Sequence, residues 1–201
     1  MKLLIASRNA HKVEEIRAIF AETMPNLQFL SLDDFPAMHE VEENGATFEE
    51  NAIKKARETA LVTGCWVLAD DSGLEVAALD NAPGVYSARY AGEQANHAKN
   101  NEKLLRELTG KSDRRARFRC VIALSDPSGR VETVSGSCEG RIIEALRGAQ
   151  GFGYDPLFVP NGFETTFAEM ESSAKNALSH RGLAMQKACA AWRNVLLSGS
   201  W

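Results

Sequence analysis

The chain has 201 residues, 44% of them hydrophobic, and a formal net charge of −4 at neutral pH. That length admits one large domain or two small ones with a sizeable core. The acidic balance argues against a broad nucleic-acid surface, and no apolar run is long enough to span a bilayer. Near the start, Arg8, Asn9, His11 and Lys12 interrupt the apolar stretch before a signal-peptide core could develop. Cys65, Cys120, Cys138 and Cys189 lack C-x-x-C spacing, and His11, His39, His97 and His180 show no paired spacing. Three of the cysteines sit in apolar or strand-like contexts and read as small core residues of a reducing compartment, and a zinc site is not expected. A cytoplasmic protein is the expectation.

Lys2 to Ala6 is a short apolar run that predicts a buried first strand. Val13, Ile16 and Phe20 then recur at helical spacing. Ser7 to Lys12 is thus a strand-to-helix loop, whose amides and lysine would favour an anion. Leu27 to Leu32 predicts a second strand, followed by an acidic connection containing Glu40, Glu42 and Glu43. Thr47-Phe48-Glu49-Glu50 has the form of a capping box that opens a helix to about Val62, which Gly64 ends.

Cys65 to Ala69 predicts a buried strand ending in a turn, Asp70-Asp71-Ser72-Gly73. Open α/β sheets place ligands at such strand ends. Successive side chains of an extended chain point opposite ways, so Asp70 and Asp71 would do different jobs, one facing a metal and a water, the other the backbone or a basic side chain. Leu74 to Leu79 is compatible with strand or helix. Ala82 to Gly92 is a loop with two tyrosines and an arginine, and a helix follows from about Ala95 to Leu108 with Leu104, Leu105 and Leu108 as its apolar side.

Arg115, Arg117 and Arg119 alternate with Ala116, Phe118 and Cys120, as in a half-exposed strand. The arginine row is a solvated face or a basic groove, the former preferred. Asp126 to Gly129 is a turn, Arg130 to Ser137 returns as the second arm of a hairpin, and Arg141 to Ile143 suggests one more strand. Gly148 to Pro156 is glycine-rich and aromatic, and Phe152 offers a flat face for a base. Leu157 to Val159 reads as a strand and Thr166 to Glu169 as a second capping box. In the last helix Leu183, Ala184, Ala188, Ala191, Trp192 and Val195 form the predicted packing face. Lys175, His180 and Arg181 sit near a helix N-terminus, where the dipole disfavours cations, so they answer to something else, such as an anionic ligand.

Six segments recur in a familiar order: Ser7-x-Asn9-x-x-Lys12, Thr47-Phe48-x-Glu50-Asn51-Ala52, Ala69-Asp70-Asp71-Ser72-Gly73-Leu74, Pro83 to Arg89, Gly151-Phe152-Gly153-Tyr154-Asp155-Pro156 and Ser179-His180-Arg181-Gly182. Together they resemble the inosine/xanthosine triphosphate pyrophosphatases, the Ham1-like enzymes acting on noncanonical purine nucleotides. The resemblance spans nearly the whole chain and implies a single domain over residues 1–201. It also implies an elongated mixed-sheet α/β fold with two lobes flanking a central active-site cleft, and a homodimer. The implied activity is Mg²⁺-assisted hydrolysis of ITP, dITP and XTP to the monophosphate and pyrophosphate, with no nucleic-acid or membrane partner.

By position, Asp71 resembles the family's catalytic base and a Mg²⁺ ligand. Glu42 matches the second metal carboxylate, with Glu43 beside it leaving the register open by one. Ser7, Arg8, Asn9, Ala10, His11, Lys12, Ser72 and Lys175 resemble phosphate and sugar contacts. Phe152, Gly153, Tyr154 and Asp155, with His180 and Arg181, resemble the base pocket.

Overall fold

The computed structural model describes residues 2–92 and 96–201, except for the side chain of Glu22. Its elements run β1 (Lys2–Ile5), α1 (Ala10–Thr23), β2 (Gln28–Ser31), α2 (Phe48–Thr63), β3 (Trp66–Val76), α3 (His97–Glu107), β4 (Arg115–Ser125), β5 (Val131–Ile142), β6 (Phe158–Pro160), α4 (Ser172–Leu178) and α5 (His180–Ser198), with short 3-10 turns between some of them. The sheet has six strands in the order β2-β1-β3-β4-β5-β6. β1 pairs in parallel with β2 and with β3, whereas β5 and β6 are antiparallel, so this is a mixed α/β sheet. Among the described residues no helix is long and apolar enough to cross a membrane, and all four cysteines are free thiols.

The chain divides into two compact units, Met1–Asp71 with Cys120–Gly136 and Arg181–Trp201, and Ser72–Arg119 with Ser137–His180. Each has its own core. In the first, Leu3, Ile5 and Leu68 of the sheet pack with Ile16 and Phe20 of α1 and with Met185, Ala188 and Trp192 of α5. In the second, Leu74 and Phe118 pack with Leu104 and Leu108 and with Phe158 and Phe167. Phe118 lies edge-on to Phe158 with centroids 4.8 Å apart, a favoured aromatic arrangement.

Local signals set most element ends. Asn9 caps α1 by accepting from the Lys12 amide at 3.3 Å. Thr47 caps α2 by accepting from the Glu50 amide at 3.1 Å, but the Glu50 carboxylate reaches the Ala46 amide. α2 ends at Gly64, in the left-handed conformation that glycine adopts without a Cβ clash.

Several elements differ from expectation. Asp70-Asp71-Ser72-Gly73 is not a turn closing a strand; β3 runs unbroken through it to Val76. Its turn-forming residues are overridden because nearly every β3 position is buried and β4 lies alongside the strand, while β1 pairs only with its start at Trp66–Leu68. The ambiguous Leu74 to Leu79 splits into the end of β3 and a 3-10 turn at Ala77–Leu79. Arg141-Ile142 is the far end of β5 rather than a separate strand. On α5 the buried face contains Met185, Cys189 and Leu196, and Ala191 is exposed. The expected start of α3 at Ala95 lies outside the described residues.

Candidate active site

The first unit carries a charged cluster around the end of its β3 segment. As expected of an extended strand, the two aspartates address different partners. Asp70 is fully buried; Lys12 Nζ lies 3.0 Å and Arg181 Nη2 3.4 Å from its Oδ2. Arg181 is itself buried and also pairs with Glu15. Burial alone would raise the Asp70 carboxyl, but Lys12, Arg181 and Lys55 together hold it well below the usual carboxylate range.

Asp71 is 5% exposed and its Oδ2 accepts from Asn51 Nδ2 at 2.9 Å. Burial pushes its carboxyl up to about 6, Lys55, Lys12 and the Asn51 bond oppose the rise, and Glu43 adds to it. The result is a carboxylate largely ionised at neutral pH yet more basic than an exposed one, as a general base requires. Asn51 and Lys55 stand four residues apart on one face of α2. Asn51 also accepts from the Gly45 amide at 2.7 Å, tying the acidic connection to the strand. Lys55 pairs with Glu43; burial disfavours its charge, but Glu43, Asp70 and Asp71 more than restore it.

The structure distinguishes the two neighbouring glutamates. Glu42 is exposed, with its carboxylate 3.4 Å from Asn44 Nδ2 and its carbonyl accepting from Lys54. Glu43 is half-buried and its charge reaches Asp71. In the loop before α1, Ser7 Oγ accepts from the Asn9 amide, and Arg8 lies 3.8 Å from Asp33. Ala10 and His11 are exposed at the first turn of α1.

The second unit gathers the remaining residues. Ser72 is half-buried on β3. The glycine-aromatic loop is tied down from below: Asp155, buried, accepts from the Phe152 amide at 2.9 Å and from Lys175 Nζ at 2.8 Å. Lys175 is buried too, and its ammonium stands 5.2 Å from the centre of the half-buried Phe152 ring. Gly151 has φ of 71°, and a Cβ there would run into the Asp155 carboxylate, so the loop closes on Asp155 only with glycine. Tyr154 is buried and donates to the Ser87 carbonyl at 2.9 Å. His180 is buried and stacks on Phe118 at 4.6 Å.

Lys175, which the resemblance places with the phosphate contacts, is bound to Asp155 under the Phe152 loop, and Arg181, which it places with His180 in the base pocket, is bound to Asp70 and Glu15. Asn51, Lys55 and Glu15 were not singled out by their chemistry. The i, i+4 spacing on α2 is a signal for Asn51 and Lys55, and Asn51 also lies in one of the six segments that carry the resemblance; Glu15 shows none.

The pattern of the Ham1 family matches residues 3–191. The chain belongs to this family. A dITP/XTP pyrophosphatase of Desulforamulus reducens is 52% identical over 190 residues, covering 94% of each chain. One of Geobacter sulfurreducens is 52% identical over 198 residues, covering 96% of this chain and 98% of its own. Among solved structures, a HAM1 protein from Coxiella burnetii is 40% identical with a TM-score of 0.88, covering 96% of this chain and 99% of its own. The Staphylococcus aureus Ham1 protein is 39% identical with a TM-score of 0.87. The mixed α/β fold of this Ham1-family chain is thus the fold of its structural neighbours.

Proposed function

We propose that this chain hydrolyses noncanonical purine nucleoside triphosphates (ITP, dITP and XTP) to the monophosphate and pyrophosphate. The observation that carries the reading is the buried, raised carboxyl of Asp71, held by Asn51 beside Lys55, in a chain 52% identical to dITP/XTP pyrophosphatases. Asp71 accepts the proton of the water that attacks the α-phosphorus. The bond from that phosphorus to the bridging oxygen breaks, and pyrophosphate leaves in line. The ammonium groups of Lys12 and Lys55 supply positive charge near Asp71, and positioning and charge are most of what phosphoryl chemistry asks of a protein.

Mg²⁺ fits the donors present. Asp71 and Glu43 are carboxylates close enough to raise the Asp71 carboxyl, and Mg²⁺ commonly binds one or two carboxylates together with substrate phosphates. Glu43 rather than Glu42 is therefore the partner we assign to Asp71. When bound, the ion would screen the triphosphate and make a coordinated water more acidic.

Ser7 to His11 and Ser72 are assigned to phosphate and sugar. Phe152 is the stacking platform for the base, with Lys175, Asp155 and Tyr154 setting its loop and His180 on the same unit. Arg181 acts through Asp70 and Glu15. A 6-oxo purine presents an acceptor where adenine presents an amino donor, so donors aimed there welcome the first and are left unpaired by the second. We read residues 1–201 as one functional domain, because β3, β4 and β5 each contribute residues to both units. A cytoplasmic homodimer completes the reading; the free cysteines agree with the first, and light scattering tests the second.

The test is pyrophosphate release with Mg²⁺ from ITP, XTP, dITP, GTP, ATP and dTTP. Turnover of the first three, with GTP and ATP nearly untouched, supports the reading. Preference for dTTP would move it to a pyrimidine-nucleotide pyrophosphatase. Tight ITP binding without turnover would leave a nucleotide sensor.

A further inference from the structure

Helix α3 carries two side chains that the proposed reaction does not use and that meet one target. His97 and Asn101 are four residues apart and share a face of the helix. The His97 ring lies 6.2 Å from that of Phe152, tilted by 48°. Asn101 Nδ2 donates to the carbonyl of Gly153 at 3.0 Å. One helix face therefore holds two consecutive residues of the glycine-aromatic loop.

The helix is itself well anchored. Asn96 caps it by accepting from the Lys99 amide at 3.1 Å. Asn100 donates to the carbonyls of Ser87 and Ala88 and accepts from the Ala91 amide at 2.7 Å. Lys103 donates to the Tyr90 carbonyl at 2.8 Å.

Stability alone does not account for Asn101. It is 6% exposed, and its Oδ1 accepts from no described residue. Leucine, of similar size, would avoid burying that oxygen, at the expense of the bond to the carbonyl of half-buried Gly153. The bond to Gly153 is what the amide supplies there. Asp155 fixes the Phe152 amide and Lys175 attracts its ring, but a single cation holds a ring less specifically than a second ring, whose contact depends on tilt.

We propose that His97 and Asn101 are positioning residues that set the attitude of Phe152 for stacking a purine base, and so govern KM for the nucleotide rather than kcat. The proposal rests on the reading of Phe152 as the base platform.

His97→Ala, Asn101→Leu and Phe152→Ala test it, with ITP kinetics and thermal unfolding measured on each full-length variant. His97→Ala and Asn101→Leu should each raise KM about three- to tenfold, the range an aromatic contact or a net hydrogen bond is worth, with kcat within about twofold. The unfolding temperature of Asn101→Leu should stay or rise, and His97→Phe should restore KM. An unchanged KM in either variant, a loss that tracks a fall in unfolding temperature, or no rescue by His97→Phe overturns the positioning role. If Phe152→Ala raises KM while the other two do not, only that role fails. If Phe152→Ala also leaves KM unchanged, the base-platform reading fails with it.

Discussion

Replacing Asp71 by asparagine should make the protein more stable as it makes it inactive. The carboxyl rises from 3.8 to about 6, chiefly through burial. A folded-state value above the unfolded one means the native state binds the proton more tightly, so stability falls as pH climbs from about 4 to about 6. Above that range the ionised side chain costs the difference, roughly two units or about 3 kcal/mol. Asparagine cannot ionise, and its oxygen can still accept from Asn51 Nδ2, 2.9 Å away in the parent. Urea unfolding of parent and Asp71→Asn, both with a chelator, measures the gap. It should approach about 3 kcal/mol in favour of the variant at pH 8 and shrink below about 1 kcal/mol at pH 4. A gap independent of pH, or a variant less stable at pH 8, would refute the burial argument. Near-parental turnover by the variant would remove Asp71 as the base, whatever its stability.

Asp70 should behave in the opposite sense. Its carboxyl is held below the usual range by Lys12 and Arg181 against the cost of burial, so its stabilisation is complete above the unfolded value near pH 4 and fades as pH falls through the folded one. Asp70→Asn should cost about 3–5 kcal/mol at pH 7, because Lys12 and Arg181 lose their shared partner, and the cost should begin to shrink only below about pH 4, most of it still present at pH 3, as unfolding curves at pH 7 and pH 3 would reveal. Lys175→Met should cost a similar ~3–5 kcal/mol by stranding the buried Asp155 carboxylate, and adding Asp155→Asn should recover much of it. Isothermal titration of a nonhydrolysable ITP analogue should find Phe152→Ala weaker by about 1–3 kcal/mol, with an unchanged affinity placing the base elsewhere.

Much of the local architecture could be read from residue order. Once the chain is extended through Asp70 and Asp71, alternation sends them to different partners, because side chains of a strand point to opposite faces. Asn9, Thr47 and Gly64 mark helix ends because capping is a matter between residues three or four apart. The apolar spacing of α1 and the alternation at the start of β4 depend on the same short range.

Other features were decided by tertiary structure. Asp70 to Gly73 have the composition of a turn, but burial and the neighbouring strand β4, distant in sequence, keep them extended. Glu42 and Glu43 are identical in type and adjacent, and which of them pairs with Lys55 of α2 is settled only by the packing: it is Glu43. Lys175, His180 and Arg181 read as one basic set, yet they bind Asp155, Phe118 and Asp70 respectively, partners 20, 62 and 111 positions away. Periodicity reports which side of an element is apolar. Which charge meets which depends on how separate elements pack, and at close range in a buried setting that pairing sets the protonation behaviour on which the chemistry rests.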